Sequence, residues 1–361
     1  MIALDCVVVG AGIHGLCTAF WLRQRGLAHI VVLERHGPGH DRGSSQGQTR
    51  ITRSSYHEPE LVRLAARAHS EGWPAIEQAL GRSLRVTTPG VFFGPADGPF
   101  GDYLRATLGT GVAVEQVTID VARRRFPLLR FQQDDAVLVD RTAAMVLAAD
   151  TMRGLRDWLL AAGVELRWHT PALRIAPQAT HIDIVTPATT LHGNTVVLAA
   201  GPWLPGLATL PEPLVVLRQE VGYFDVDADE TACRAGTFPV WAHIGRLPND
   251  FHYGLPSHAG AGLKAAVHRT EGAGSNPDDA PPPIDEQALL VMARERFTVT
   301  VRGLRATERC LYTMTRDQGF RVARDASVPN LVTIAACNGH GFKFGPVVGR
   351  MAADLLHAPL V

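Results

Sequence analysis

Residues 6–15, Cys6-Val7-Val8-Val9-Gly10-Ala11-Gly12-Ile13-His14-Gly15, join a short apolar run to a glycine-spaced loop. Four consecutive apolar residues, mostly β-branched, are the mark of a parallel strand buried on both faces. Ile13, Leu16, Cys17, Phe20 and Trp21 then recur at helical spacing, and Gly26 suits the helix's C-terminal end. Residues 29–34 (HIVVLE) form a second apolar run. Strand, helix and strand make one βαβ unit. In the G-x-G-x-x-G turn, Gly10 permits the tight bend, Gly12 lets backbone approach a pyrophosphate, and Gly15 lets helix and strand pack closely. The helix start at Ile13 and His14 offers N–H donors and a positive dipole end. Glu34 closes the second strand 19 residues after Gly15, where a carboxylate can accept ribose hydroxyls and disfavours a 2′-phosphate. The loop by itself does not choose between FAD and NAD.

The rest of the chain alternates in character. Residues 37–49 are rich in Gly, Ser and Gln. Residues 59–80 are predicted helical, with Pro59 in the first turn. Residues 86–94 (VTTPGVFFG) predict strands around a turn, and residues 145–162 an amphipathic helix closed by Gly163. Two β-rich runs follow at 164–175 and 181–185, then a buried strand at 195–200 (TVVLAA) that enters Gly201-Pro202-Trp203. Glycine after such a strand brings backbone close to a bound group. Residues 214–310 hold short strands and turns, and 272–283 is a Gly-, Pro- and Asp-containing loop, either a lid or a solvated connector. Residues 331–336 are a last buried strand, followed by a glycine-containing loop at 337–343 and a helix to about 356.

Composition excludes several classes. Among 361 residues, 46% are hydrophobic and 19% charged, so the chain is globular, not disordered. Lys plus Arg equals Asp plus Glu at 35 each, which leaves no footprint for nucleic acid or an anionic membrane. The five cysteines, Cys6, Cys17, Cys233, Cys310 and Cys337, lack disulfide or metal spacing. No run of about 18 apolar residues exists, and the first run is read as a strand and not a leader peptide. A reducing cytoplasm and a small-molecule partner are expected.

Three further stretches are more specific. They are 43–58 (GSSQGQTRITRSSYHE), 260–268 (GAGLKAAVH), and the pair 308–321 (ERCLYTMTRDQGFR) with 338–345 (NGHGFKFG). With the glycine loop they resemble the monomeric sarcosine oxidase and N-methyltryptophan oxidase family, within the D-amino-acid-oxidase-like flavoproteins. The resemblance implies an α/β + β fold. A Rossmann-type FAD-binding domain (1–82, 146–216 and 318–361) interleaves with a mainly antiparallel-sheet substrate domain (83–145 and 217–317). It implies FAD carried on Cys310 through a thioether to the 8α-methyl. Arg53 and Lys343 would hold a substrate carboxylate, Lys264 would lie against the flavin and promote its reaction with O2, and Arg50 would lie on the opposite side of the ring. Tyr312, His268, Tyr253 and Glu58 would line or brace the pocket. The expected cofactor contacts continue through Arg35, Ser44, Gln46 and Thr49 in the early loop. They then run through Ala200, Gly201 and Trp203 after the buried strand, and Gly339, Gly341 and Phe342 near the end. The chain departs from sarcosine-oxidising members at Gln46, where they carry His, and at Leu255 and His258, where they carry an aromatic residue; Leu255 and His258 are, with Arg53, Lys343, Glu58 and Tyr253, expected to contact the substrate.

Flavin amine chemistry needs orientation and fixed positive charge more than an acid–base triad. A cation serves twice, at a substrate carboxylate and where O2 gains negative charge. Taken alone, Lys264 reads equally as a charge guarding a sheet edge. Arg50 and Arg53 read as a surface pair, and Cys310 as a thiol with no demonstrated activation. Cys6, Cys17, Cys233 and Cys337 read as inert filler. The expected activity is oxidation of an N-methyl amino acid or cyclic imino acid by a monomer, giving imine and H2O2. A dehydrogenase or ring-desaturating tailoring enzyme is the alternative, and a non-catalytic flavoprotein the third reading.

Overall fold

The computed structural model describes residues 4–247, 250–335 and 337–357. The strand Leu4–Val9 sits in the middle of a sheet, parallel to Ile30–Leu33 on one side and to Thr190–Leu198 on the other. Glu165–Arg167 extends it beyond the second strand, and Leu331–Ala335 pairs in parallel with Thr190–Leu198. Alternation explains why the first strand is apolar throughout. Cys6 and Val8 pack with Leu16, Phe20, Leu155 and Val348 on one face, while Val7 and Val9 pack with Ile184, Val196 and Leu204 on the other. Each such fully buried side chain contributes about 1.5–3 kcal/mol. The helices Ile13–Gln24, Ala148–Ala161 and Gly345–His357 supply the first of these layers.

The chain leaves Leu4–Val9 toward Ile30–Leu33 on one side and comes back to Thr190–Leu198 on the other. Such a reversal opens a crevice at the carboxyl end of the first strand. The expected dinucleotide-binding unit is therefore present, and the crevice lies where Gly10–Gly15 sits.

A second sheet has eight strands in the order Val301–Met314, Val215–Val226, Leu263–Val267, Phe251–Leu255, Val240–Ile244, Gly90–Pro95, Asp135–Asp140, Val114–Val117. Its pairings are antiparallel except that of Val240–Ile244 with Gly90–Pro95. A small third sheet joins Thr49–Thr52, Ala144–Leu147 and Arg85–Thr87.

Several expectations change. Residues 144–147 are a strand and the helix begins at Ala148, because Met145 and Val146 are taken up by pairing with both Thr49–Thr52 and Arg85–Thr87. The long helix over 59–80 is broken into Pro59–Arg67 and Trp73–Leu80 by a π turn at Ala68–Gly72, just before Pro74. Proline lacks the N–H that an α-helix needs there. The division expected at 216/217 runs through Val215–Val226, and that at 145/146 through Ala144–Leu147. Residues 1–3 and 358–361 of the first expected domain, and Ala336 of the last expected strand, lie outside the described residues. The 272–283 loop is tied down: Asp278 accepts from Trp203 Nε1 at 2.9 Å and meets Arg35 at 3.3 Å, and Arg218 donates to the carbonyls of Asn276 and Asp279. No helix among the described residues is long and apolar enough to cross a membrane.

Candidate active site

Gly10 has φ of +108°, and a Cβ there would lie 2.4 Å from Ala199 O. A Cβ on Gly15 would lie 1.8 Å from Gly10 O. No side chain fits either place, so helix start and strand ends close into a bare-backbone cradle. Glu34 faces this cradle. Its carboxylate accepts Ala11 N–H and His36 N–H, both at 3.0 Å, and lies 3.4 Å from His40. Burial pushes this carboxyl up, but His40 and the two N–H groups outweigh it and hold it below the usual range. Ile13 N–H, in the first helical turn, donates to Ser45 Oγ at 3.0 Å.

The loop around residues 43–49 bridges the two sheets. Leu311 N–H donates to Gly43 O, Ser44 Oγ donates to Leu311 O, and Gln46 Nε2 donates to Arg309 O at 2.7 Å. The loop is thereby seated on Val301–Met314, whose residues Glu308, Cys310 and Tyr312 share one face by their two-residue spacing. Arg309 is turned to Pro282 O, so the cations facing Cys310 are Arg50 and Lys264. Burial nevertheless pushes the Cys310 thiol up to about 11, with Arg50 the main opposing influence.

Lys264 lies in Leu263–Val267, an interior strand, and is 3% exposed. Its Nζ donates to Thr49 O at 3.3 Å and stands 3.5 Å from Glu308 Oε2. Burial, then Arg50, lowers it to about 8, against the pull of Glu308. Position in the middle of the sheet rules out an edge guard. Arg50 itself is engaged by the carbonyls of Ser44, Gln46 and Thr49.

Two more cations converge from elsewhere. Arg53 is 8% exposed, and its Nε donates to Ser55 O at 3.0 Å and Tyr103 Oη at 3.1 Å. Its guanidinium lies 4.5 Å from the Tyr56 ring centroid. Lys343, 6% exposed, donates to His340 O at 3.2 Å and lies 5.6 Å from the same ring. Burial, then Arg53 and Arg50, lowers it well below the ordinary lysine value. Among the described residues neither cation is in a salt bridge. Beside them, His268 Nδ1 lies 3.3 Å from Tyr312 Oη, and burial followed by Arg53 and Lys343 lowers His268 to about 3, so it is neutral. Tyr253 is pushed up to about 12 by burial. Gly339 keeps this corner compact: a Cβ on it would meet Tyr312 and His268 at 2.4 and 2.5 Å.

Cradle, loop and cations border one continuous cavity of about 1100 Å³. Of the residues the sequence nominated, all line it except Gly15, which is packed beneath the cradle, and His258. His258 is a correction. The strand Phe251–Leu255 ends before it, and the turn over 256–262 carries it off the wall, with its carbonyl accepting Ala261 N–H. Cys337 is a second correction, for it is half-buried on the cavity wall rather than filler. Glu58 stands at the rim with its side chain 52% exposed. Sequence reading missed Glu308, Tyr56 and Tyr103. Two of these lie inside quoted stretches, yet none has a spacing that marks it apart from ordinary polar or core residues.

The cavity fits the cofactor that the glycine motif implies. A cradle that any Cβ would fill, an acid beyond it, and a thiol far along the same cavity suit a long flavin dinucleotide better than a mononucleotide. Several residues of the cavity wall also carry buried polar atoms without partners among the described residues, including Gln46 Oε1, Tyr56 Oη and both ring nitrogens of His340.

Comparison with known proteins agrees with this geometry. Residues 5–355 match the family described as FAD dependent oxidoreductase. The chain is 31% identical to the monomeric sarcosine oxidase of Streptomyces avermitilis, over 97% of this chain and 93% of the relative. It is 26% identical to the N-methyl-L-tryptophan oxidase of Salmonella arizonae, over 97% and 94%. Among solved structures, NikD, described as an unusual amino acid oxidase essential for nikkomycin biosynthesis, superposes with a TM-score of 0.84. It is 23% identical to this chain, covering 99% of it and 94% of NikD.

Proposed function

The chain belongs to the FAD-dependent oxidoreductases, in the branch of sarcosine and N-methyltryptophan oxidases, and acts on the CH–NH group of its donors. From that premise we propose that it oxidises a secondary amino or imino acid, an N-methyl amino acid or a cyclic imino acid. O2 is the acceptor, imine and H2O2 are the products, and the flavin is bonded to Cys310. The observation that carries this reading is the pair Arg53 and Lys343, two buried basic side chains that are in no salt bridge among the described residues and that line the cavity also bordered by Lys264 and Cys310. Buried charge is costly unless compensated, and a substrate carboxylate compensates both.

FAD would be held by the N–H groups around Gly12, by Glu34, by the 43–49 loop, by the backbone after Leu198, and at Cys310. When bound it supplies two-electron acceptor chemistry. The chain's own residues do the rest. Arg53 offers a fork and Lys343 a point charge to the carboxylate. Their field lowers the proton affinity of a nearby ammonium group and so favours the neutral amine, the reactive form. His268 and His340, both kept uncharged mainly by burial, add no third positive charge. Tyr56, Phe251 and Tyr253 wall the substrate region with apolar surface and limit water. Lys264 supplies positive charge where a reduced oxygen species develops negative charge.

The test is anaerobic. N-methyl and cyclic imino acids are added to the yellow protein and bleaching is followed at roughly 450 nm, the flavin band. Bleaching by carboxylate-bearing secondary amines, then peroxide release on admitting air, is expected. Bleaching only by amines lacking a carboxylate would overturn the assignment of Arg53 and Lys343. Bleaching without peroxide would favour a dehydrogenase.

A further inference from the structure

We propose that His181, Asp183 and His192 form a binding site for a divalent transition-metal ion, Zn²⁺ or a similar imidazole-seeking ion, on the outer hairpin of the first sheet. Ile182–Val185 and Thr190–Leu198 pair antiparallel with Asp183 directly opposite His192. His181 precedes Asp183 by two residues, which places it on the same face. Asp183 Oδ1 lies 2.6 Å from His192 Nδ1 and 3.0 Å from His181 Nε2. The two rings stand nearly perpendicular, at 88°, with centroids 5.0 Å apart. All three ligand atoms lie within 4.8 Å of one another.

The far sides of two ligands are already tied. His181 Nδ1 meets Thr180 Oγ1 at 3.2 Å, which leaves the Nε2 lone pair free to point inward when Nδ1 carries the proton. Asp183 Oδ2 accepts Gln178 Nε2 at 3.0 Å, leaving Oδ1 for an ion. Zn–N and Zn–O bonds of about 2.0–2.2 Å need the present separations to open by roughly half an ångström. Side-chain exposures of 32%, 21% and 36% let an ion enter and keep water on its open positions. Two imidazoles and one carboxylate suit Zn²⁺, Co²⁺ or Ni²⁺ rather than Mg²⁺ or Ca²⁺.

A second triplet in the molecule shows the contrast. His243, Asp250 and His252 also converge, but Arg296 donates to His252 Nδ1 at 2.8 Å and to Asp250 Oδ1 at 3.3 Å. A guanidinium already holds the cationic place there. Among the described residues no Arg or Lys pairs with His181, Asp183 or His192. An ion at the first triplet clips the hairpin whose strand, Thr190–Leu198, runs on to Ala199, the residue against which Gly10 packs.

The FAD-loaded protein, freed of metal with EDTA, is titrated with ZnCl2 by calorimetry, and with CoCl2 while the visible spectrum is recorded. One ion per chain is expected, with a rise in melting temperature that EDTA reverses. The double variant His181→Gln/His192→Gln should lose the ion and keep the flavin spectrum. Absence of binding to the unaltered protein, or equal affinity in the double variant, overturns the proposal. If the double variant is colourless, Gln178→Ala, which touches only the support of Asp183, asks the same question. A weakening of about tenfold supports the site, and unchanged affinity overturns it.

Discussion

Lys264 Nζ faces Glu308 Oε2 at 3.5 Å across two strands that are not neighbours, since Val215–Val226 lies between them. Tyr223, on that intervening strand, lies beneath the same ammonium, 5.1 Å from its ring centroid. Glu308 is the carboxylate beside the cation that the proposed oxygen chemistry relies on. Removing its charge as Glu308→Gln takes away an influence that raises the lysine's proton affinity, so Lys264 should fall below about 8. The alkaline limb of flavin reoxidation then moves to lower pH, whereas Lys264→Met abolishes that limb. Stopped-flow reoxidation across pH checks both, and an unmoved limb in Glu308→Gln would dissociate the two residues.

Arg53 is fixed by Ser55 O and Tyr103 Oη, and Arg53→Met removes its charge without leaving a buried ion. Binding of a carboxylate inhibitor should weaken by about 2 kcal/mol, roughly thirtyfold. The perturbation of the flavin spectrum on titration with acetate-type ligands measures it.

Two thiols border the cavity, and only one is proposed to carry the cofactor. After acid precipitation, Cys310→Ser should release yellow colour into the supernatant. Cys337→Ser should keep the colour in the pellet. The reverse pattern would reassign the attachment.

Gly10→Ala places a methyl 2.4 Å from Ala199 O at a φ of +108°. Strain of about 1–3 kcal/mol, together with displacement of the cradle, should yield folded protein that purifies with little flavin. The ratio of flavin to protein absorbance reads this out, beside circular dichroism as a folding control.

Burial, chiefly, holds His243 and His268 at about 3 and His252 at about 4. The unfolded chain binds protons at these histidines below about 6.5, while the folded protein does not. More protons on the unfolded side means that stability rises with pH, so it falls as pH drops from about 6.5 toward each folded value. Each fully coupled histidine removes about 1.4 kcal/mol per pH unit in that window. Urea midpoints between pH 7 and pH 4 should therefore decline steadily.

What the sequence determined by itself was local. The strand, turn and helix around Gly10–Gly15, and the acid at Glu34, are legible because short-range periodicity and glycine geometry dictate them. The motif stretches also named a large share of the cavity wall, just under half of its residues being theirs. Tertiary structure alone decided which neighbours those stretches acquire. Lys264 lies in the interior of a sheet and not at its edge, His258 turns away, and Cys337 joins Cys310 at the cavity, because strand order and register join residues tens to hundreds of positions apart. Glu308 and Tyr103 gain their partners only through such long-range pairing, and no spacing along the chain encodes it.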